Sequence, residues 1–338
     1  AVSLKGQCSF TFANTLGSRL MRFALFFIFC VVQLTAVAAE TASTSTSNVL
    51  GTYNLILLED YNFQGGDVEG QAFIGGDLNA QGRTAEFGSR LANTDTAIDA
   101  VTIVGDVNAN GIRVLRDNNL VYGGALNAST VELNDGDDGQ AIYNPDVSIT
   151  DIASSLYADT AYYASLTENG TYSNGTFNYS GPDEVAVFNV SASEVFAQNS
   201  ALNLIAGSAE TIIINVSASD LPGNDIVIGG GVNSTGDFTQ QSYFSNILWN
   251  FYDAESIDFN NLNVKGSVLA PFADTTGGSS FDGSFAAESY TGAREFHNFV
   301  FNYEREASVV EVPAPHSSLF LILFASILMV TRRLKVTR

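Results

Sequence analysis

The long central region contains one histidine and one lysine, two residue types that often act as a general base or a nucleophile. His297 lies in the sequence EFHNF, between Phe296 and Phe299. This apolar setting favours a packed, hydrogen-bonded structural histidine over a general base. A lysine can form a covalent crosslink with an asparagine side chain only when it is buried beside an acid. Lys265 is instead interpreted as an ordinary surface or salt-bridged residue. The sequence therefore predicts no catalytic residue and a protein that is not an enzyme.

The acidic turn NDGDDGQ, residues 134–140, is the one candidate metal site. Asp135, Asp137 and Asp138 supply clustered carboxylates, which are ligands that calcium prefers. The turn lacks the spacing and the closing glutamate of an EF-hand, and a solvated acidic turn is the simpler interpretation. Calcium is the only cofactor that the sequence suggests.

The charge of the chain is distributed very unevenly. All 36 acidic residues lie between Glu40 and Glu311, together with only half of the 14 basic ones. A surface this acidic repels nucleic acid and anionic lipid, so neither is expected as a partner of this region. Carboxylate pairs can serve a glycosidase, but among so many acids no pair is singled out. A polysaccharide-cleaving β-helix enzyme therefore stays open only as an alternative.

An export signal is predicted near the N-terminal end. Met21 and Arg22 precede an apolar run and a stretch of small residues that ends at Ala39. This layout is typical of a secretory signal peptide, and the run is short for a retained membrane helix. Met21 is therefore the predicted start of the protein, and residues 1–20 are predicted to be upstream sequence translated in error. A signal peptide at 21–39 and a Ser/Thr-rich linker at 40–50 are predicted to follow.

The C-terminal end also has three parts. Its apolar run, residues 319–330, spans a bilayer only marginally. The basic tail behind the run would keep that end in the cytoplasm. The predicted membrane stop consists of Arg332, Arg333, Lys335 and Arg338.

Both cysteines, Cys8 and Cys30, precede the predicted mature region. That region would therefore contain no thiol and no disulfide. This excludes cysteine nucleophiles, zinc–thiolate sites and a disulfide-stapled scaffold.

The middle of the chain consists of short apolar runs separated by Gly, Asn and Asp. Runs such as AVTIVG, TIIINV and SNILWNF are rich in Val, Ile and aromatic residues. They predict many short strands, several of them buried on both faces. One stretch, residues 146–166, instead has apolar residues at helical spacing. It predicts one long amphipathic α-helix, capped by Ser148 or Thr150 and ended at Asn169 and Gly170.

A pattern of Gly, then Leu or Val, then Asn-Ala occurs three times, in GGDLNA, VGDVNA and GGALNA. A β-solenoid needs such corners: glycine tolerates positive φ, asparagine can form a side-chain ladder, and the apolar residue points inward. The fold prediction is therefore an all-β, irregular β-solenoid with the helix packed alongside; a β-sandwich is the alternative and leaves the repeated corner unexplained. The predicted corner residues are Gly76, Leu78, Asn79, Gly105, Val107, Asn108, Gly124, Leu126 and Asn127.

Several long segments resemble, in the same order, the choice-of-anchor A family of bacterial surface proteins. They include YNLILLEDYNFQGGDVEGQAFIGGDLNA, IIINVSASDL, SNILWNFYDAESIDFNNLNVKGSVLAP and GAREFHNFVFNYE. The resemblance covers nearly all of residues 51–304 and implies an adhesive β-helix domain at 51–305. More loosely, the chain is similar to ice-binding-type β-solenoids, which carry a similar long helix beside the solenoid.

The C-terminal segment, residues 306–338, resembles a PEP-CTERM sorting signal, although alanine replaces the usual glutamate of its motif. The corresponding residues are Val312, Pro313, Ala314 and Pro315. This resemblance implies a Gram-negative source, passage through the inner membrane and processing by an exosortase-type enzyme.

These resemblances together imply a secreted, surface-displayed adhesin or matrix-binding protein. Its expected ligand is an extracellular polysaccharide or another surface ligand, and its expected location is the cell surface or extracellular matrix. An ice-binding-like solenoid is the other alternative.

Overall fold

The structure is a computed structural model that describes residues 48–92, 96–303 and 305. The predicted upstream segment, signal peptide, sorting motif and membrane stop, and all but the last three residues of the predicted linker, lie outside the described residues.

The described chain is mostly β-structure, which confirms the predicted all-β solenoid. The helices are α1 (Thr150–Ala164), α2 (Ala192–Val195) and the 3₁₀ turns Pro222–Asn224, Asp237–Thr239 and Gln241–Asn246. The strands are β1 (Leu55–Leu57), β2 (Tyr61–Gly65), β3 (Ala72–Ile74), β4 (Leu78–Phe87), β5 (Asp99–Ile103), β6 (Val107–Val114), β7 (Asn119–Tyr122), β8 (Thr130–Leu133), β9 (Ala141–Tyr143), β10 (Thr171–Ser173), β11 (Thr176–Asn178), β12 (Val185–Ser191), β13 (Ala201–Ile205), β14 (Thr211–Ser217), β15 (Asp225–Val227), β16 (Asn233–Gly236), β17 (Ile247–Phe251), β18 (Ser256–Asp258), β19 (Val264–Lys265), β20 (Ser267–Thr276), β21 (Ser280–Asp282), β22 (Phe285–Ala293) and β23 (Glu295–His297).

The strands stack in parallel register to form three faces of a solenoid. The helix-side face has the order β12-β14-β17-β20-β22-β1-β3-β5-β7-β9. The ladder face continues through the later parts of β20 and β22 to β2 and the first halves of β4 and β6. The cleft face begins with the strands β19, β21 and β23. Val68 forms bridges to Phe296 of β23 and to Phe87 of β4. The face then continues from the second half of β4 through β6 to β8. A separate four-stranded sheet has the order β10-β11-β13-β16.

The stacking order differs from the chain order. The early strands β1, β3, β5, β7 and β9 extend the stack in one direction, and after α1 the chain resumes at the opposite end with β12. It then returns through β14, β17 and β20 to β22, which pairs with β1. The last rung of the second half therefore lies on the first rung of the chain.

Helix α1 covers the helix-side face. Its buried residues Leu156 and Tyr163 pack in one cluster with Ile213, Leu248 and Leu269 of the strands below. Strands β14 and β17 are consequently buried on both faces, as their continuous apolar runs predict.

The ends of α1 differ from the prediction. Ile149 is the N-cap residue, and its side chain makes no capping hydrogen bond. The predicted cap Thr150 is wrong, because Thr150 is the first residue of the helix. Ser148 precedes the N-cap residue, and its Oγ accepts a hydrogen bond from the backbone N–H of Thr150 at 3.2 Å. The helix ends at Ala164, and the backbone N–H of the C-cap residue Ser165 donates to the carbonyls of Ala161 and Tyr162. The predicted stop at Asn169 and Gly170 is therefore wrong.

Candidate functional site

Three chemically active side chains form a column on the cleft face, one from each of three stacked strands. Lys265 on β19 lies opposite Asp282 on β21, which lies opposite His297 on β23. Their neighbours Phe281 and Phe296 are buried in the core. Because side chains alternate along a strand, the column points outward.

The Asp282 carboxylate is the centre of this column. Its Oδ2 lies 2.5 Å from Lys265 Nζ, and its Oδ1 bonds His297 Nδ1. Only 5% of the Asp282 side chain is exposed, so the two partners stabilise a carboxylate that burial would otherwise penalise. The lysine is thus salt-bridged and the histidine hydrogen-bonded, as the sequence predicts.

The same contacts set the protonation of the histidine. Its Nε2 lies 3.3 Å from a carboxylate oxygen of Glu295. Burial lowers the pKa of His297, but the hydrogen bonds to Asp282 and Glu295 outweigh burial, so the pKa is raised. The column therefore retains a second positive charge to a higher pH than an isolated histidine would.

An open cavity of about 540 Å³, here called the cleft, lies over the column. The Phe244 ring has its centroid 4.8 Å from Lys265 Nζ and packs edge-to-face on Phe299, with centroids 5.3 Å apart. Aromatic rings beside a few placed polar groups are typical of a ligand site. The cleft is lined by Glu69, Arg90, Gln241, Phe244, Asn263, Lys265, Asp282, His297, Asn298 and Phe299.

The chemistry of the cleft suits recognition of a hydroxyl-rich ligand. Arg90 Nε lies 3.4 Å from Glu69 Oε1, and 70% of the arginine side chain is exposed. The lining side chains thus include exposed donors, carboxylate acceptors and amides that do both. Such a set can donate to and accept from several hydroxyl groups of one ligand.

The asparagines of the repeated motif lie on the ladder face and bond one another. Nδ2 of Asn127 donates to Oδ1 of Asn108 at 2.9 Å, Asn108 donates likewise to Asn79 at 3.2 Å, and Asn79 to Asn62 at 3.3 Å. This ladder also includes Thr291, whose Oγ1 accepts from Asn62 Nδ2 at 3.2 Å.

The apolar residues of the motif differ in burial. Leu78 and Val107 are 0% exposed and belong to the main core. Leu126 is only partly buried against that core, and its backbone pairs with Val107 through an isolated bridge. The third copy of the motif thus contributes less to the interior than the first two.

The glycines of the motif do not serve the purpose that the sequence suggests. Gly76, Gly105 and Gly124 lack the positive φ expected at a corner, so that explanation is wrong. A Cβ on Gly105 would lie 2.2 Å from Asp77 Oδ1, and a Cβ on Gly124 would lie 2.3 Å from Asp106 Oδ1. The Asp77 oxygen accepts the backbone N–H of Asp106 at 2.7 Å. Glycine is needed because a carboxylate of the adjacent rung occupies the space of a side chain.

The candidate calcium ligands are exposed in the turn that follows β8. Asp135 Oδ2 accepts a hydrogen bond from the backbone N–H of Arg116 at 3.1 Å, and the backbone N–H of Asp138 donates to Asp117 Oδ1. Asp137 is likewise exposed. Among the residues that the structure describes, no group of three or more His, Cys, Asp or Glu is arranged to hold a metal ion. Calcium binding at this turn stays a prediction.

Residues 46–298 match the family model described as "Putative Ice-binding-like adhesive domain". The chain belongs to this family. No curated protein and no solved structure matches the chain. The matched region of the adhesive domain includes the ladder, α1 and the column of Lys265, Asp282 and His297. Membership indicates a surface or extracellular adhesive protein.

Within residues 48–92, 96–303 and 305, the adhesive domain has no helix of the length and apolarity that a membrane span requires.

The residues that complete the cleft were not identified from the sequence. Asp282, Glu69 and Phe244 come from three distant segments, and no sequence pattern marks them as members of one site. One weak signal was available: Lys265, Asp282 and His297 each directly follow a single inward-pointing apolar residue. That pattern says the side chain points outward, but not which three strands are neighbours.

Proposed function

We propose that this adhesive domain is a secreted, surface-displayed adhesin whose cleft binds an extracellular polysaccharide without cleaving it. The observation that supports it is the cleft itself, where the Phe244 and Phe299 rings adjoin amides, carboxylates and cations. The stacked strands β19, β21 and β23 hold Lys265, Asp282 and His297 in fixed positions, so these three side chains lose little conformational entropy when a ligand binds. A binding role, rather than hydrolysis, is favoured because Asp282 is enclosed and bonded to both Lys265 and His297.

A glycan array with the purified protein tests this function. We expect binding to at least one polysaccharide, and at least a tenfold weaker affinity after combining Arg90→Ala with Gln241→Ala, which alter exposed cleft residues. Arg83→Ala, which alters an exposed arginine outside the cleft lining, is the matched control and should not change affinity. If the protein binds no glycan on the array, the proposed function is contradicted. If it releases reducing ends from a polysaccharide, it is an enzyme rather than a binding protein.

Export and sorting form the second part of the proposal. The signal peptide at 21–39 would direct the chain across the inner membrane, and the apolar segment 319–330 would pause it there. An exosortase-type enzyme would then cleave the chain near Val312–Pro315, a proposal supported by the finer resemblance to choice-of-anchor A proteins with a PEP-CTERM tail. Mass spectrometry of the protein from its native host should find a C-terminus near Pro315. An intact Arg338 on most molecules would instead indicate a permanent membrane anchor.

Ice binding is a second candidate, favoured by the family and by the regular spacing of the ladder face. Parallel strands repeat at about 4.8 Å, so the asparagine ladder presents evenly spaced polar groups. The adjacent rank contains the carboxylates of Asp60, Asp77 and Asp106, however, rather than uniform threonines. Thermal hysteresis in the purified protein, lost in an Asn79→Lys variant, would establish this alternative.

A further inference from the structure

Two exposed aromatic rings from different elements stack on each other. Tyr157 on α1 and Phe272 on β20 have ring centroids 5.1 Å apart and ring planes 15° apart. Their exposed fractions are 42% and 43%, which places both among the few large apolar side chains that are exposed in the described part of the chain. We call this pair the aromatic platform. Exposed apolar surface that is held in a fixed geometry commonly marks a binding site.

A polar groove begins beside the platform. Along β20, Phe272, Asp274 and Thr276 are exposed while Ala273 and Thr275 between them are buried. Phe272 therefore lies where β20 passes from the helix-side face to the ladder face, and Asp274 and Thr276 follow it as outward side chains of the same strand. The groove has a volume of about 480 Å³ and is lined by Glu59, Asp60, Asn62, Ser256, Asp274, Thr275, Thr276, Ser289 and Thr291.

Carboxylates converge on the platform from the neighbouring rungs. Burial, followed by the nearby carboxylates of Glu59 and Asp274, raises the pKa of Glu288. Burial and the carboxylates of Glu288 and Glu59 also raise the pKa of Tyr157. Glu59, which lines the groove, acts on both Glu288 and Tyr157, so the tyrosine ring lies within electrostatic range of the groove. The platform therefore has hydrogen-bond acceptors beside it.

The chemistry of this surface selects among ligands. An aromatic ring packs well against the apolar C–H face of a sugar, and carboxylates accept strong hydrogen bonds from its hydroxyl groups. The lining contains acids, hydroxyls and one amide, and neither Lys nor Arg. An anionic polymer or an anionic membrane would therefore be repelled, whereas an uncharged, hydroxyl-rich chain would not.

We propose that the aromatic platform and its groove form a second binding site, specific for neutral polysaccharide. The site shares no lining residue with the cleft. The proposal rests on the proposed function only in taking an extracellular glycan as the ligand. One domain with two separate glycan sites could join two polysaccharide chains.

Calorimetric titration of the full chain with neutral hexasaccharides of glucose, mannose, galactose and xylose tests this site. We expect at least one of these probes to bind, with at least a tenfold loss of affinity in a Tyr157→Ala/Phe272→Ala double variant. Tyr143→Ala is the matched control, because this tyrosine is 58% exposed and belongs to another aromatic pair. It should bind as the unchanged protein does, and circular dichroism should show that both variants are folded.

A second variant separates hydrogen bonding from stacking. Glu59→Gln with Asp274→Asn retains both rings and should weaken the same probe at least threefold. The cleft variant Arg90→Ala/Gln241→Ala should bind that probe normally.

The possible results distinguish this site from the cleft. If no neutral hexasaccharide binds, or if the platform variant binds unchanged, the second site is refuted even when the cleft binds another glycan. If the cleft variant loses the neutral probe and the platform variant retains it, the assignment to the platform is wrong. If the platform variant alone loses binding, the second site holds.

Discussion

Asn108 donates a side-chain hydrogen bond to Asn79, with 3.2 Å between Nδ2 and Oδ1, across 29 residues of sequence. The two backbones are paired at the same position of adjacent parallel strands. The hydrogen bond between the two side-chain amides therefore forms only when these two rungs pair in this register. Asn127 and Asn62 make equivalent bonds, so the ladder links four rungs.

Asn108→Ala should lower the free energy of unfolding by about 1–2 kcal/mol, because it removes the donor to Asn79 and the acceptor for Asn127. Urea unfolding measures this change. Asn110→Ala, which alters an exposed asparagine on the same strand, is the control and should cost less than about 0.5 kcal/mol. Equal losses in the two variants would mean that the ladder does not stabilise the fold.

Gly105→Ala should destabilise the domain by about 1–3 kcal/mol, since its Cβ would meet both Asp77 Oδ1 and the Gly76 backbone. Gly230→Ala is the matched control, because a Cβ there has no atom within 4 Å. Thermal unfolding of the two variants compares them directly. A normal melting temperature for Gly105→Ala would contradict the close-approach explanation.

Leu78→Asp and Val107→Asp should each prevent folding, because an unpaired buried carboxylate costs several kcal/mol, comparable with the stability of a domain. Leu126→Asp should still fold, since Leu126 is only partly buried. Far-UV circular dichroism distinguishes these outcomes. A folded Val107→Asp variant would show that the motif residue does not contribute to the core.

Asn250→Ala should loosen α1 from the solenoid. The fully buried Asn250 amide accepts a hydrogen bond from Thr160 Oγ1 at 2.6 Å and donates to Thr160 O and Asn215 Oδ1. Its loss leaves buried partners unsatisfied, which should cost about 2–4 kcal/mol. Amide hydrogen exchange should become faster throughout α1. Asn261→Ala, at an exposed position, serves as the control; equal exchange rates would exclude an anchoring role.

Asp159→Asn should raise stability at neutral pH. Burial raises the pKa of Asp159 from 3.8 to about 6, although Arg305, whose Nη1 lies 3.3 Å from Asp159 Oδ1, opposes this shift. The folded state binds the extra proton, so the domain loses stability as pH rises from about 4 to about 6.

The difference in stability between Asp159→Asn and the unchanged protein should therefore be small at pH 4 and reach about 3 kcal/mol at pH 7. Chemical unfolding across that pH range measures it. Asp151→Asn alters an exposed acid of the same helix and should show no such trend. A constant difference at all pH values would mean that Asp159 does not titrate in this window.

The sequence by itself determined the all-β solenoid, the helix along it and the asparagine ladder. Those features follow from local patterns: alternation along a strand, helical spacing around Leu156 and the repeated corner motif. Local patterns determine which way a side chain points, because strand and helix geometry have fixed periods. They also indicated that His297 is packed and hydrogen-bonded, since its neighbours are phenylalanines.

Only the tertiary structure decided which rungs are neighbours. β22 lies on β1 although more than 200 residues separate them, and the cleft and the aromatic platform exist because of such pairings. The sequence also could not show why the corner residues must be glycine. The carboxylates that occupy the space of a side chain at these positions come from adjacent rungs. Backbone pairing in a parallel ladder is nearly the same for any two rungs. The stacking order therefore depends on how the whole core and α1 pack together, which no local segment encodes.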